Sequence, residues 1–394
     1  MTYPEPIYLD YQASTPIAPE VAEAMQPYLY GQFANPHASD HLAGLNANKA
    51  IEKARSQTAS LIGSDNDEVF FMSGATEANN LAVRGLLDKL REMRKTTIIV
   101  SAIEHKCVLE AANFAQRYGF TVQYVWPDND GIIQPQALDE LIDESVGLVS
   151  VMAVNNEIGT IQPIDQLAAI AHQNTSLFHT DAAQAPVFWG LDVDELNVDL
   201  LSLSGHKFYG PKGIGALYIR RDIQDYITPI LHGGGQEHGV RSGTLPTMLC
   251  VGMGQASELA QQYHEQRASI LFELATQFWQ ELKRQIPEIE LNGHASQRHP
   301  GNLNIHFPGV WAEDMLTALM PNVAASAGSS CNSGSQEPSY VVNAIYDEKR
   351  AANSIRFSFG IDQDEGMIRK SAQHVIQQYM QQLELSQHDT VSAM

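Results

Sequence analysis

Between residues 65 and 220 one pattern repeats: a short, almost wholly apolar β-rich run, a polar or glycine-bearing loop, then a helical stretch. The runs are "EVFFM" (68–72), "TTIIVSA" (96–102), "TVQYVW" (121–126), "VGLVSVMAV" (146–154), "SLFHTD" (176–181) and "VDLLSLS" (198–204). Between them lie helical patterns such as "EANNLAVRGLLDKLREM" (77–93), "PQALDELIDE" (135–144) and "IDQLAAIAHQN" (164–174). Strands that are apolar along their whole length need cover on both faces, so the alternation predicts a mostly parallel sheet between helices. Beyond "GGGQEHGVRSGTLP" (233–246), a long helical stretch through "SILFELATQFWQELKRQI" (269–286) leads to new strand signals at "NLNIHF" (302–307) and "SIRFSFG" (354–360), with a closing helix near 365–385. The predicted architecture is a large α/β domain over 15–262 and a smaller α+β domain over 263–394 together with 1–14.

A chain of 394 residues can bury the cores of two such domains. With 24 basic and 46 acidic residues its formal charge is −22. Such a surface repels phosphate backbones, and no local basic patch offsets it, which argues against direct nucleic-acid binding and favours basic protein partners. No apolar run reaches the roughly 18 residues of a membrane span. The first basic residue is Lys49, so the N-terminus has no basic signal-peptide start, and the expected location is cytoplasmic, off the membrane. Cys107, Cys250 and Cys331 are too few and too far apart for a disulfide framework or a CxxC metal site.

In sheets of this kind ligands bind at the carboxyl ends of the strands. Five loops should converge there: Ser73-Gly74-Ala75-Thr76, Glu104-His105-Lys106, Asn155-Asn156-Glu157, Asp181-Ala182-Ala183-Gln184 and Ser204-Gly205-His206-Lys207. The sequence has no GxxxxGK[ST] loop, no GxGxxG after a strand, no HExxH and no metal-ligand spacing, which argues against an ATP, nicotinamide or zinc enzyme. The loops do contain what pyridoxal phosphate requires. "SGATEAN" opens a helix directly after a strand, a ready anion site, although Ser73 or Thr76 could simply cap that helix. Asp181 could keep a pyridine nitrogen protonated, or be a loop carboxylate. His105 could cover the ring, or be structural. Lys207, in "SGHKFYGPKG", could be the nucleophilic amine; Lys212, inside the Gly/Pro turn, suits a structural or solvated role.

The segments "YLDYQASTP", "SGATEANNLAV", "EHKCVLE", "VNNEIGTIQP", "HTDAAQAP", "SGHKFYGPKGIGALY", "GGGQEHGVRSGTLP" and "SSCNSGSQEPSYV" occur in family order from about residue 7 to 360. Together they resemble the cysteine desulfurases of the NifS/IscS type, in the class V aminotransferase family. The resemblance implies a fold-type I pyridoxal-phosphate enzyme with a mostly parallel seven-stranded sheet, converting L-cysteine to L-alanine. It implies Lys207 as the Schiff-base lysine, Asp181 on the pyridine nitrogen, and His105 stacked on the ring and assisting proton transfer. It gives Gln184 and Asn156 the phenolic oxygen, and Ala75, Thr76, Ser204 and His206 the phosphate. Thr244 of "RSGT" would reach the phosphate of a neighbouring subunit's site, which implies a homodimer. Arg356, assisted by Asn35, would bind the substrate carboxylate.

Cys331 lies in "SAGSSCNSGS", a run of small residues suited to a thiol that must reach substrate and then deliver sulfur to an acceptor protein. The resemblance identifies it as the persulfide-forming nucleophile. Cys250, in an apolar setting, reads as a packed core thiol, and Cys107 is expected to be dispensable for activity. A C–S lyase or aminotransferase of the same superfamily has no need of Cys331 in such a run, and a non-catalytic scaffold has no need of Lys207 or Asp181. Two segments depart from the family pattern, "IDQDEG" after "RFSFG" and the tail "LELSQHDTVSAM". Both leave open which acceptor, an iron–sulfur scaffold or a thiolation carrier, takes the sulfur.

Overall fold

The computed structural model describes residues 5–328 and 338–392, with side chains as far as residue 386. Its large sheet has seven strands: β1 (Val69–Met72), β2 (Thr97–Ser101), β3 (Thr121–Val125), β4 (Val146–Ser150), β5 (Leu177–Asp181), β6 (Leu200–Ser204) and β7 (Gly215–Ile219). Their spatial order is β1-β7-β6-β5-β4-β2-β3. The pairs β3/β2, β2/β4, β4/β5 and β5/β6 are parallel, while β7 runs antiparallel to β1 and β6. Every residue of the strands other than β3 is buried, as cover on both faces requires; β3, at an edge, is mostly half-buried.

β7 was not among the strands expected from the sequence. The connection 205–214 is shorter than the dozen or so residues that a parallel crossover needs, so the chain doubles back antiparallel beside β6. Its first residue must be glycine, because a Cβ on Gly215 would lie 2.6 Å from the Cα of Gly74. The helical stretch expected over 77–93 is two helices, Ala75–Arg84 and Leu87–Glu92. The break is at Gly85, where a side chain would meet Ile227 and the Thr228 carbonyl, and where Thr228 N–H donates to the Gly85 carbonyl at 2.8 Å.

The helix Thr247–Gln285 leads from this sheet to a second, antiparallel one of β8 (Glu290–Leu291), β9 (Asn302–His306) and β10 (Ser354–Ser358), in the order β10-β9-β8. Phe278 of that helix packs against Phe357 and Phe359, and Phe307 packs against Tyr379 of the closing helix, Glu365–Ser392. The N-terminal segment joins this part of the molecule. Ile7–Tyr8 pairs in parallel with Val323–Ala324, and Asp10 bridges to Ser358, which carries Gln12 and Ala13 to the end of the large sheet where β1, β2, β4, β5 and β6 terminate.

Candidate active site

A cavity of about 390 Å³ opens at that end. It is lined by residues of all five expected loops, by Gln12 and Ala13, and by Gly328, Tyr340 and Arg356. Parallel strands ending at one edge deliver their following loops to one place, and that topology assembles the site.

Gly74, at φ +154, turns the chain out of β1 into the helix Ala75–Arg84, whose first-turn N–H groups have no partner within the helix. Ala75, Thr76, Ser204 and His206 all line the cavity beside this turn. Burial, with Lys207 and Lys212 adding to it, holds the His206 pKa down to about 4, so its ring is neutral at pH 7. Its Nδ1 lies 3.3 Å from Ser14 Oγ. At the end of β5, buried Asp181 accepts from Asn79 Nδ2 at 2.7 Å and from the Ala183 N–H at 2.9 Å, which fixes its carboxylate. Gln184 donates to the Gln12 carbonyl at 3.0 Å. Lys207 closes a short 3-10 turn after β6, half-buried, and its Nζ donates to the carbonyls of Gln12 (2.6 Å) and Ala13 (3.0 Å).

His105 caps the helix Lys106–Gln116, with Nδ1 accepting from the Cys107 N–H. Arg356, on β10 and almost wholly buried, donates to Asn156 O (2.7 Å), Gly328 O (3.1 Å) and Asp10 Oδ1 (2.5 Å). Glu157 is buried in the cavity wall, where desolvation raises its pKa, and accepts from Ser339 Oγ.

The residues fit pyridoxal phosphate. Asn156 Oδ1 is a buried acceptor with no hydrogen-bond partner among the described residues, at the cavity wall where a ring hydroxyl could donate to it. The Gly74 turn supplies an anion cradle, Asp181 a fixed carboxylate, and Lys207 an amine, all on one cavity.

The structure thus brings together Ala75, Thr76, His105, Asn156, Asp181, Gln184, Ser204, His206, Lys207 and Arg356. It leaves Asn35 and Thr244 exposed and away from this cavity within one chain. Cys331 lies outside the described residues. Sequence reasoning missed Gln12, Asn79 and Tyr340, whose partners are distant in the chain, and gave Glu157 no role. Cys107, expected to be dispensable for activity, lines the cavity with Sγ 2.9 Å from His105 Nδ1. Lys212, expected in a structural or solvated role, is exposed but also borders the cavity.

The model of the family described as Aminotransferase class-V matches residues 7–370. A cysteine desulfurase IscS of Rickettsia rickettsii (strain Iowa) is 47% identical over 356 residues, covering 90% of this chain and 86% of that one. The solved structure of a NifS-like protein superposes with a TM-score of 0.88 at 32% identity, over 95% of this chain and 99% of that one. A second, described as SspA in complex with cysteine, superposes with a TM-score of 0.78 at 39% identity, over 89% of this chain and 98% of that one.

Proposed function

The chain belongs to the class-V aminotransferase family, and we infer that it is a pyridoxal-phosphate-dependent cysteine desulfurase, its IscS relative being named a cysteine desulfurase. The observation that carries the reading is the convergence of Lys207, Asp181, His105 and the Gly74 anion cradle on one cavity. The overall conversion is L-cysteine plus the Cys331 thiol to L-alanine plus a Cys331 persulfide, in which the C–S bond breaks, an S–S bond forms and hydrogen is conserved.

Bound pyridoxal phosphate supplies an electron sink for bond breaking next to the substrate's amino-bearing carbon. In this reading Ala75, Thr76, Ser204 and His206 would hold its phosphate. Asp181, already oriented by Asn79, faces its pyridine nitrogen, and Gln184 and Asn156 face its phenolic oxygen. Lys207 would hold the cofactor through its amine and, with His105, would carry protons to and from the substrate's α-carbon. Arg356, with Asn35, orients the substrate carboxylate, exchanging its contact with Asp10 for a second carboxylate. Cys331 takes the sulfur.

The same reading makes the enzyme a homodimer, with Thr244 reaching the partner's phosphate site. Exposed apolar side chains around Asn35 support a covering subunit: Phe33 is 83% and Tyr30 81% accessible in the single chain. The division into 15–262 and 263–394 with 1–14 is kept, as is a cytoplasmic location, where thiols remain reduced. A sulfur-acceptor protein, an iron–sulfur scaffold or a thiolation carrier, completes the path, and the charge of −22 favours a basic docking face on it. Purified protein given L-cysteine and a thiol reductant should release alanine and sulfide in equal amounts. Pyruvate and ammonia in place of alanine would overturn the reading in favour of a C–S lyase.

A further inference from the structure

Cys107 has no part in the roles above, yet its surroundings are specific. Its Sγ lies 2.9 Å from His105 Nδ1 and 3.2 Å from Asn79 Nδ2. Asn79 is fully buried, and the same amide nitrogen lies 2.7 Å from Asp181 Oδ2. Counting hydrogens sets the directions. An amide nitrogen has two, so Asn79 gives one to Asp181 and the other to the sulfur. A sulfur accepting from Asn79 keeps its own S–H for His105. The Nδ1 atom also takes the Cys107 backbone N–H at 3.2 Å. The Cys107 N–H aimed at Nδ1 needs the lone pair there, which the thiol hydrogen shares, so the ring's proton belongs on Nε2.

We propose that Cys107 is a positioning residue for His105: its thiol completes a hydrogen-bonded chain from Asp181 through Asn79 to the imidazole, and holds the ring as the Nε2–H tautomer. His105 then presents a donor to the cavity at the start of each turnover, in an orientation tied to the carboxylate meant for the pyridine nitrogen. The effect on turnover rests on the desulfurase reading; the tautomer does not.

The test uses ¹⁵N-histidine-labelled full-length protein without cofactor, with the His105 signals assigned by their loss in His105→Gln. The wild type should carry its proton on Nε2. Cys107→Ala should move the Nδ1 resonance and, in the cofactor-loaded enzyme, lower kcat for L-cysteine about three- to tenfold, the worth of one hydrogen bond. KM should change less, because Cys107 acts through His105. Cys107→Ser keeps a donor and an acceptor at the same place and should restore both readings. A wild-type proton on Nδ1 overturns the proposal, and so does an unmoved Nδ1 resonance in Cys107→Ala whatever its turnover. Should the alanine variant not fold, the wild-type tautomer and the serine variant decide. The nitrogen measurement needs neither cofactor nor substrate, so its failure leaves the desulfurase reading intact, and failure of that reading leaves the tautomer to stand on its own.

Discussion

Lys207 and Lys212 lie five positions apart in one glycine-rich segment, and the structure separates them by environment. Lys207 is half-buried and tied to two carbonyls of the N-terminal segment, whereas Lys212 is exposed at the cavity's border. A lysine held over a cavity can carry a cofactor; one in solvent has no such constraint. Lys207→Ala should therefore purify without the visible absorbance of a lysine-bound cofactor, while Lys212→Ala should keep it. The opposite pair of spectra would reverse the assignment. Residues such as Asp181, His105 and Lys207 were legible because each lies at or just past the end of an apolar strand, and strand ends of a parallel sheet share one edge. Gln12 was not, because its carbonyl meets a lysine 195 positions away, a juxtaposition that local pattern does not encode. The surroundings of Cys107 were not legible for a related reason: one residue past the helix-opening lysine, it looks like any thiol at a helix start until Asn79 and His105 are seen on either side of it.

Among the elements, the loop that carries Thr244 shows how a glycine-rich stretch acquires a fixed place. Glu237, 5% accessible, forms a two-point ion pair with Arg55 at 2.7 and 2.8 Å and also accepts from the Phe71 N–H of β1 at 2.6 Å. Arg241 in the same loop pairs with Glu77 in the first turn of the anion-cradle helix at 2.9 Å. Removing Glu237 leaves buried Arg55 with only the Val69 carbonyl and the half-exposed Glu52, and the Phe71 N–H without its acceptor, so Glu237→Ala should lower unfolding stability by about 3–5 kcal/mol. Urea denaturation measures it, and a loss below about 1 kcal/mol, as expected for a surface pair, would contradict the account. The six sequence-evident strands of the large sheet were readable from continuous apolar runs. The antiparallel β7 and the break at Gly85 were not, because each is set by a close approach from elsewhere: Gly74 over Gly215, and Thr228 against Gly85.

For the whole molecule, the order of apolar strands, helices and polar loops was enough to place one site at one sheet edge, and the long helix Thr247–Gln285 was visible as the connection to the smaller sheet. What the pattern could not supply is how the N-terminal segment and β10 return to close the cavity with Gln12 and Arg356, since that depends on pairings between the two ends of the chain. The account's central claim is that these parts together move sulfur from L-cysteine onto one enzyme thiol. Two cysteines are candidates: Cys331, in its run of small residues, and Cys107, which lines the cavity but is engaged by His105 and Asn79. Mass spectrometry of peptides from wild-type enzyme exposed briefly to L-cysteine, with thiols trapped at once, separates them. The account predicts one added sulfur on the peptide containing Cys331 and none on the peptide containing Cys107. Sulfur on Cys107, or on neither peptide while alanine is released, would contradict it.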